Sequence, residues 1–240
     1  MSNPTAAMLV IGDEILSGRT RDANMHYLAG EMTKMGIDLK EVRVVSDDRD
    51  AIIRAVNDLR SGYDSVFTSG GIGPTHDDIT ADCVAAAFGV HIDVRDDASA
   101  LLAAFYEQTG RELNEARLRM ARIPDGATLI DNPVSVAPGF KLENVYVMAG
   151  VPSVFQAMLA SITPTLTGGA PLLTQSIRIE RGEGDIAAPL GKLADEFSDL
   201  SFGSYPFQHN GVHGANIVIR GTDGARVEAA AIRVAGLFDE

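Results

Sequence analysis

Thr68-Ser-Gly-Gly-Ile-Gly-Pro-Thr-His-Asp-Asp-Ile-Thr80 is the stretch on which the reading of this chain turns. Ser65-Val-Phe-Thr68 before it reads as a short strand, and a helical pattern follows it to about Phe88. Glycine permits positive φ and close backbone approach, so such a loop turns its N–H groups onto an anion. The helix that follows adds the positive end of its dipole. Thr75 and Thr80 supply hydroxyls. Asp77 and Asp78 repel a bare phosphate, and a divalent cation between carboxylate and phosphate resolves that conflict. The alternative is a tight strand–helix turn in which Asp77 or Asp78 is an ordinary N-cap. No Gly-Lys-Ser/Thr follows, and the spacing is not G-x-G-x-x-G, so neither familiar nucleotide loop is present.

Upstream, Ala6-Ala-Met-Leu-Val-Ile11 is a continuous apolar run, as a buried parallel strand requires. Met25, Leu28, Met32 and Met35 recur at helical spacing over 22–35, and Gly36 stops the pattern. Val42–Val45 is strand-like, and Ile52, Ile53, Val56 and Leu59 share one face of a helix over 48–60. Downstream come a half-exposed strand near 90–94, two helices over 97–122 broken near Gly110, a buried strand Val145–Met148 and a helix from Pro152 to about Leu166. This alternation implies an α/β fold, a three-layer α/β/α sandwich around a mostly parallel sheet. Ligands on such sheets bind beyond the carboxyl ends of the strands. Thr167-Gly-Gly-Ala-Pro171 reads as a linker, and strand, helix, strand, strand and helix follow, as a small α+β domain would show. The expected domains are 1–168 and 172–240.

Two further strand ends carry acids. Asp13 and Glu14 follow Gly12 beside Ser17, and suit a metal or a ligand's amino groups, or a solvated loop. Asn24 reaches the site from its helix start or faces solvent. Of Asp47 and Asp48, the second is the expected helix cap and the first the functional candidate. Asn132–Phe140 and Met148–Pro152 are Pro/Gly turns near the same edge. His26, His76, His91, His209 and His213 lack zinc-site spacing, and Cys83 reads as a small core residue.

The 240 residues carry 20 basic and 33 acidic side chains, a formal charge of −13. The excess is spread over both halves, so no basic face for nucleic acid is expected. One cysteine excludes an internal disulfide and suits a cytoplasmic location. No secretory signal is expected at the N-terminus, and no apolar run approaches a membrane span.

These motifs together resemble the molybdopterin-binding (MoaB/MogA-like) domain family of molybdenum-cofactor biosynthesis, most closely the N-terminal domain of CinA, the competence/damage-inducible protein A. The likeness rests on Gly12-Asp-Glu-Ile-Leu-Ser-Gly-Arg, Ser69-Gly-Gly-Ile-Gly-Pro-Thr-His-Asp-Asp-Ile-Thr, Ala137-Pro-Gly-Phe and Gly150-Val-Pro-Ser. Ser204-Tyr-Pro-Phe207 extends it into the small domain. The resemblance implies a metal-dependent nucleotide pyrophosphatase acting on ADP-ribose- or FAD-type substrates. The MoaB/MogA-like branch implies molybdopterin binding and adenylylation instead, and a non-catalytic nucleotide-binding module is the third reading. Carried over by position, Gly12, Ser17, Gly70, Gly71, Gly73, Thr75, Thr80, Pro138 and Gly139 hold the phosphorylated nucleotide or pterin. Asp13, Glu14 and Asp78 hold a divalent metal, Mg²⁺ or a transition metal, with K⁺ as a further cation, and Asp47 and Asp78 are catalytic. No tightly bound organic cofactor is implied. The expected assembly is a homodimer or trimer, and the expected form is a stand-alone one without the amidase domain of full-length CinA. Ser135-Val136 stands where the family usually has Gly-Thr, Met148-Ala149 where it has Leu-Pro, and Val154 where Glu is common.

Overall fold

The computed structural model describes residues 2–209 and 211–238, and the chain divides into two compact units, residues 1–169 and 170–240. In the first unit, β1 (Thr5–Ile11) leads through the single turn α1 (Asp13–Leu16) to α2 (Asn24–Met35) and β2 (Asp38–Val45). Then come α3 (Arg49–Gly62), β3 (Ser65–Ser69), α4 (Thr80–Phe88), β4 (Ile92–Val94), α5 (Asp96–Thr109) and α6 (Glu115–Leu118). A 3₁₀ turn (Arg119–Ala121) leads into β5 (Arg122–Pro124), β6 (Thr128–Ile130), β7 (Gly139–Leu142), β8 (Val145–Met148) and α7 (Pro152–Ile162).

Six strands form the central sheet in the order β2-β1-β3-β8-β7-β6. The first four are parallel, and β7 and β6 add antiparallel at the far edge. β1 is apolar throughout because both its faces are covered. Ala7, Leu9 and Ile11 pack with Ile52, Val56 and Leu59 of α3 and with Cys83 and Val84 of α4. Ala6, Met8 and Val10 pack with Leu28 and Met32 of α2 and with Phe155, Met158 and Leu159 of α7. Phe67 and Tyr146 stack on that second face, ring centroids 5.0 Å apart. The layered, mostly parallel α/β architecture is therefore the expected one.

Several local expectations change. The segment 122–142 carries three strands that no periodicity announces, and β4 pairs with β5 outside the main sheet. The second helix expected before residue 122 is only one α turn followed by the 3₁₀ turn. Neither Asp77 nor Asp78 caps α4, which starts at Thr80 without a side-chain cap. Asp48 does cap α3, accepting from the Ala51 N–H at 2.8 Å.

Cys83 is buried, and burial pushes its thiol up to about 11. A thiolate is the reactive form. The native protein is therefore expected to resist thiol-specific labelling at pH 8 and to label stoichiometrically once unfolded. Rapid labelling of the folded chain would contradict that placement.

The second unit comprises β9 (Leu173–Ile179), α8 (Glu183–Glu196), β10 (Ser201–His209), β11 (Val212–Gly221) and α9 (Gly224–Phe238). Its sheet is antiparallel, in the order β10-β11-β9. Ile186, Leu190 and Leu193 of α8 and Val227, Ala230 and Val234 of α9 pack with Ala215, Ile217 and Ile219 of β11. No described helix is long and apolar enough to cross a membrane.

Candidate functional site

Because β2, β1, β3 and β8 are parallel, their carboxyl ends lie along one edge of the sheet. The segments that follow them, at Gly12, Asp47, Gly70 and Ala149, meet there around a cavity of about 530 Å³. That size suits a nucleotide-sized ligand. Glu14, Thr20 and Asp47 line one side and Gly70–Gly73, Asp77 and Asp78 another. Met120, Asn132, Ser135, Ala137, Ala149, Gly150, Val151, Pro152 and Val154 complete the wall.

The glycine loop is shaped by contacts that only glycine allows. Gly70 (φ 109°) would place a Cβ 2.2 Å from the Ile11 carbonyl oxygen, and Gly71 (φ 69°) would place one 2.2 Å from Thr80 Oγ1. Thr80 is fully buried, its hydroxyl donates to the Gly70 carbonyl at 3.0 Å, and its N–H donates to the Gly71 carbonyl at 3.0 Å. These bonds pin the loop to the first turn of α4. They leave the N–H groups of Gly71, Ile72 and Gly73 without a hydrogen-bond partner among the described residues. Three successive free N–H groups at a cavity wall are an anion-binding feature.

The expected roles of several residues are corrected by these contacts. Thr80 holds the loop and has no surface for a ligand. Thr75 is also committed: its hydroxyl donates to Asp78 Oδ2 at 2.5 Å and its N–H to the same oxygen at 2.8 Å. Ser17 donates to the Glu14 carbonyl at 3.3 Å and does not line the cavity. Gly12 lies outside the lining too, its N–H bonded to the Val45 carbonyl at 3.1 Å. Pro138 lines a smaller depression behind the glycine loop. Gly139 opens β7, where a Cβ would come 2.3 Å from the Val147 carbonyl oxygen, so sheet packing explains that glycine.

Among the described residues, no three His, Cys, Asp or Glu side chains form a group that could hold a metal ion. Asp13, Glu14 and Asp78 are therefore not an assembled ligand set. Asp13 does not line the cavity; its backbone N–H donates to Asp47 Oδ2 at 2.9 Å. The residues do not fit a resident metal.

Yet every titratable side chain lining the cavity is an acid: Glu14, Asp47, Asp77 and Asp78. Burial raises the Asp47 carboxyl above its ordinary range. The Asp13 N–H opposes this, while the charges of Asp13, Glu14 and Asp77 add to it. A raised carboxyl favours the protonated form in the folded state. Its stabilising contribution is full below the unfolded pKa and is lost as pH rises through the folded one. Asp47→Asn, which keeps an acceptor for the Asp13 N–H, is accordingly expected to raise Tm at pH 7. The gain should vanish as the pH falls to the ordinary carboxylate range; a lower Tm at pH 7 would show the charge to be compensated.

Asn24 and Asn132 organise the wall from behind. Asn24 is 2% exposed and donates to Ser69 Oγ and to the Gly150 carbonyl, both at 2.8 Å, tying β3 to the loop after β8. Asn132 accepts from the Val134 and Ser135 N–H groups and donates to Ser135 Oγ and the Ala137 carbonyl. It thereby sets the turn that carries Ser135 and Ala137 to the cavity. Val136 in that turn has φ 66°, a strained value for a β-branched residue. Met120 and Asn132 were not candidates from sequence, because neither stands in a motif with chemistry of its own.

Residues 7–168 match the family model described as "Probable molybdopterin binding domain", and residues 171–240 match "FAD synthase, middle domain". A protein described as "Probable FAD synthase" from Caenorhabditis elegans is 32% identical over 94% of this chain. The chain spans 48% of that relative's length. A "CinA-like protein" from Citrifermentans bemidjiense is 36% identical over 68% of this chain, which spans 40% of the relative. The crystal structure of CinA from Thermoplasma acidophilum superposes with a TM-score of 0.63 at 32% identity, covering 69% of this chain and 99% of that one.

Proposed function

Since the chain belongs to the molybdopterin-binding domain family, with CinA-like proteins among its relatives, we propose that its cavity binds a phosphorylated nucleotide and hydrolyses a diphosphate bond of the ADP-ribose or FAD type. The observation that carries this reading is the pairing of three free loop N–H groups with a cavity whose titratable side chains are all acids. Backbone N–H groups bind phosphate oxygens without adding charge. The carboxylates then repel the same ligand unless it arrives with a cation.

The divalent cation is accordingly written as part of the substrate. Mg²⁺ commonly takes one or two protein carboxylates and completes its shell from phosphates and water. A cation so held offsets negative charge building on the anhydride oxygens. The protein's own contributions are separable. Gly71, Ile72 and Gly73 fix one phosphate. Asp78 braces the loop through Thr75. Asp47, with its raised carboxyl, accepts a hydrogen bond from the attacking water and takes up its proton as the bond to phosphorus forms. The relatives described as FAD synthases favour flavin and adenine dinucleotides as the substrate class.

The test is chromatography of ADP-ribose or FAD after incubation with Mg²⁺, Mn²⁺, Co²⁺ or Ni²⁺. AMP is the expected product in both cases. Ligand binding without AMP across the metal series would overturn hydrolysis. The match of residues 7–168 to a molybdopterin-binding domain favours a second reading, adenylyl transfer to molybdopterin at the same cavity. Its mark is a stable adenylylated pterin formed from ATP.

A further inference from the structure

If phosphates bind at the glycine loop, the cavity lining leaves their second negative charge without a cationic side chain, because its titratable groups are all acids. The nearest cations stand behind the loop. Gly71, Gly73 and Asp78 form a partition between the main cavity and a smaller depression, and they line both. Arg119 and Arg122 line that depression. Arg122 is committed to Asp82, with contacts of 3.0 and 2.7 Å. Arg119 is exposed and has no ion-pair or hydrogen-bond partner for its side chain among the described residues.

Its backbone is nonetheless well placed. Arg119 opens the 3₁₀ turn whose last residue, Ala121, is fully buried. The residue between them, Met120, lines both the depression and the main cavity. The side chain therefore starts from a fixed point on the partition, and a flexible guanidinium there reaches the rim of the phosphate loop.

We infer that Arg119 is a specificity-determining residue of this site, the cation that pairs with the second phosphate of a diphosphate ligand. The inference rests on the proposed phosphate-binding reading of the loop. It assigns the loop N–H groups to the first phosphate, common to mono- and diphosphates, and Arg119 to the second. Guanidinium suits that task because it presents several donors in one plane to phosphate oxygens.

The experiment is calorimetric titration of the full chain with ADP-ribose and with AMP, each with Mg²⁺. Wild type, Arg119→Ala, Arg119→Lys and Asp78→Ala are compared. Arg119→Ala should weaken ADP-ribose about tenfold and AMP less than twofold, with Arg119→Lys recovering part of the loss. Asp78→Ala should weaken both ligands. Equal effects of Arg119→Ala on the two ligands, or none on either, overturn the assignment of Arg119 while leaving the loop site standing. Failure of the wild-type chain to bind either ligand overturns the loop reading and the Arg119 assignment together.

Discussion

Gly70→Ala is expected to lower stability by about 3 kcal/mol and Tm by about 10 °C, the larger of two effects traced to the glycine loop. The argument is geometric. Gly70 has φ 109°, which side chains on an L-residue rarely allow, and the added Cβ would lie 2.2 Å from the Ile11 carbonyl oxygen. That oxygen belongs to the end of β1, whose neighbours are buried on both faces. It cannot retreat without opening the β1–β3 pairing that ends at Val10 and Ser69. Gly150 is also packed here, with its own hypothetical Cβ 3.2 Å from the Gly70 Cα. A shift of Gly70 therefore propagates into the opposite cavity wall. Differential scanning calorimetry measures the change, and Gly110→Ala is the control. Gly110 also has positive φ, but open space surrounds its hypothetical Cβ, so only the conformational part of the penalty should appear. Equal losses for the two variants would show that close packing at Gly70 contributes nothing.

Asp78→Ala is expected to leave the fold intact and to weaken nucleotide binding roughly a hundredfold, on the order of 3 kcal/mol. One carboxylate oxygen accepts both the Thr75 N–H and the Thr75 hydroxyl, and Gly73 packs on the same group, so the side chain closes residues 73–78 into one turn. Removing it releases that turn and deletes a negative charge from the cavity. Asp78→Asn separates the two roles. The amide oxygen can still accept from Thr75, so a variant that binds like wild type would assign Asp78 to bracing alone. A loss as deep as that of Asp78→Ala would assign it to the charge. Circular dichroism of both variants checks that the fold is retained.

Much of the architecture was legible because it follows from burial. β1, β3 and β8 are continuous apolar runs since helices cover both faces, and an apolar run between glycine turns leaves few alternatives. The glycine loop was legible because Gly70 and Gly71 occupy backbone conformations that other residues resist. The strands between residues 122 and 142 were not legible. They are three or four residues long, too short for a period, and β7 begins at a glycine chosen by its contact with the Val147 carbonyl.

The candidate site divides in the same way. Strand ends bearing acids could be read from the chain, and Glu14, Asp47, Asp77 and Asp78 do line one cavity. What spacing does not reveal is which atom of a residue faces the site. Asp13 contributes its N–H to Asp47 and not its carboxylate to the cavity. Thr75 and Thr80 hydroxyls are spent on Asp78 and on the Gly70 carbonyl. Asn132 acts on the wall through a turn it builds with its own side chain. Such roles are set by contacts across loops, where no periodicity operates.

The central claim is that this acidic cavity takes a phosphorylated ligand together with a cation. Calorimetric titration with ADP-ribose in Mg²⁺, repeated in excess chelator, tests it most directly. Binding to one site per chain in Mg²⁺, lost in chelator and lost in Asp78→Ala, is the predicted result. Binding that is equally tight in chelator and indifferent to Asp78→Ala would contradict it.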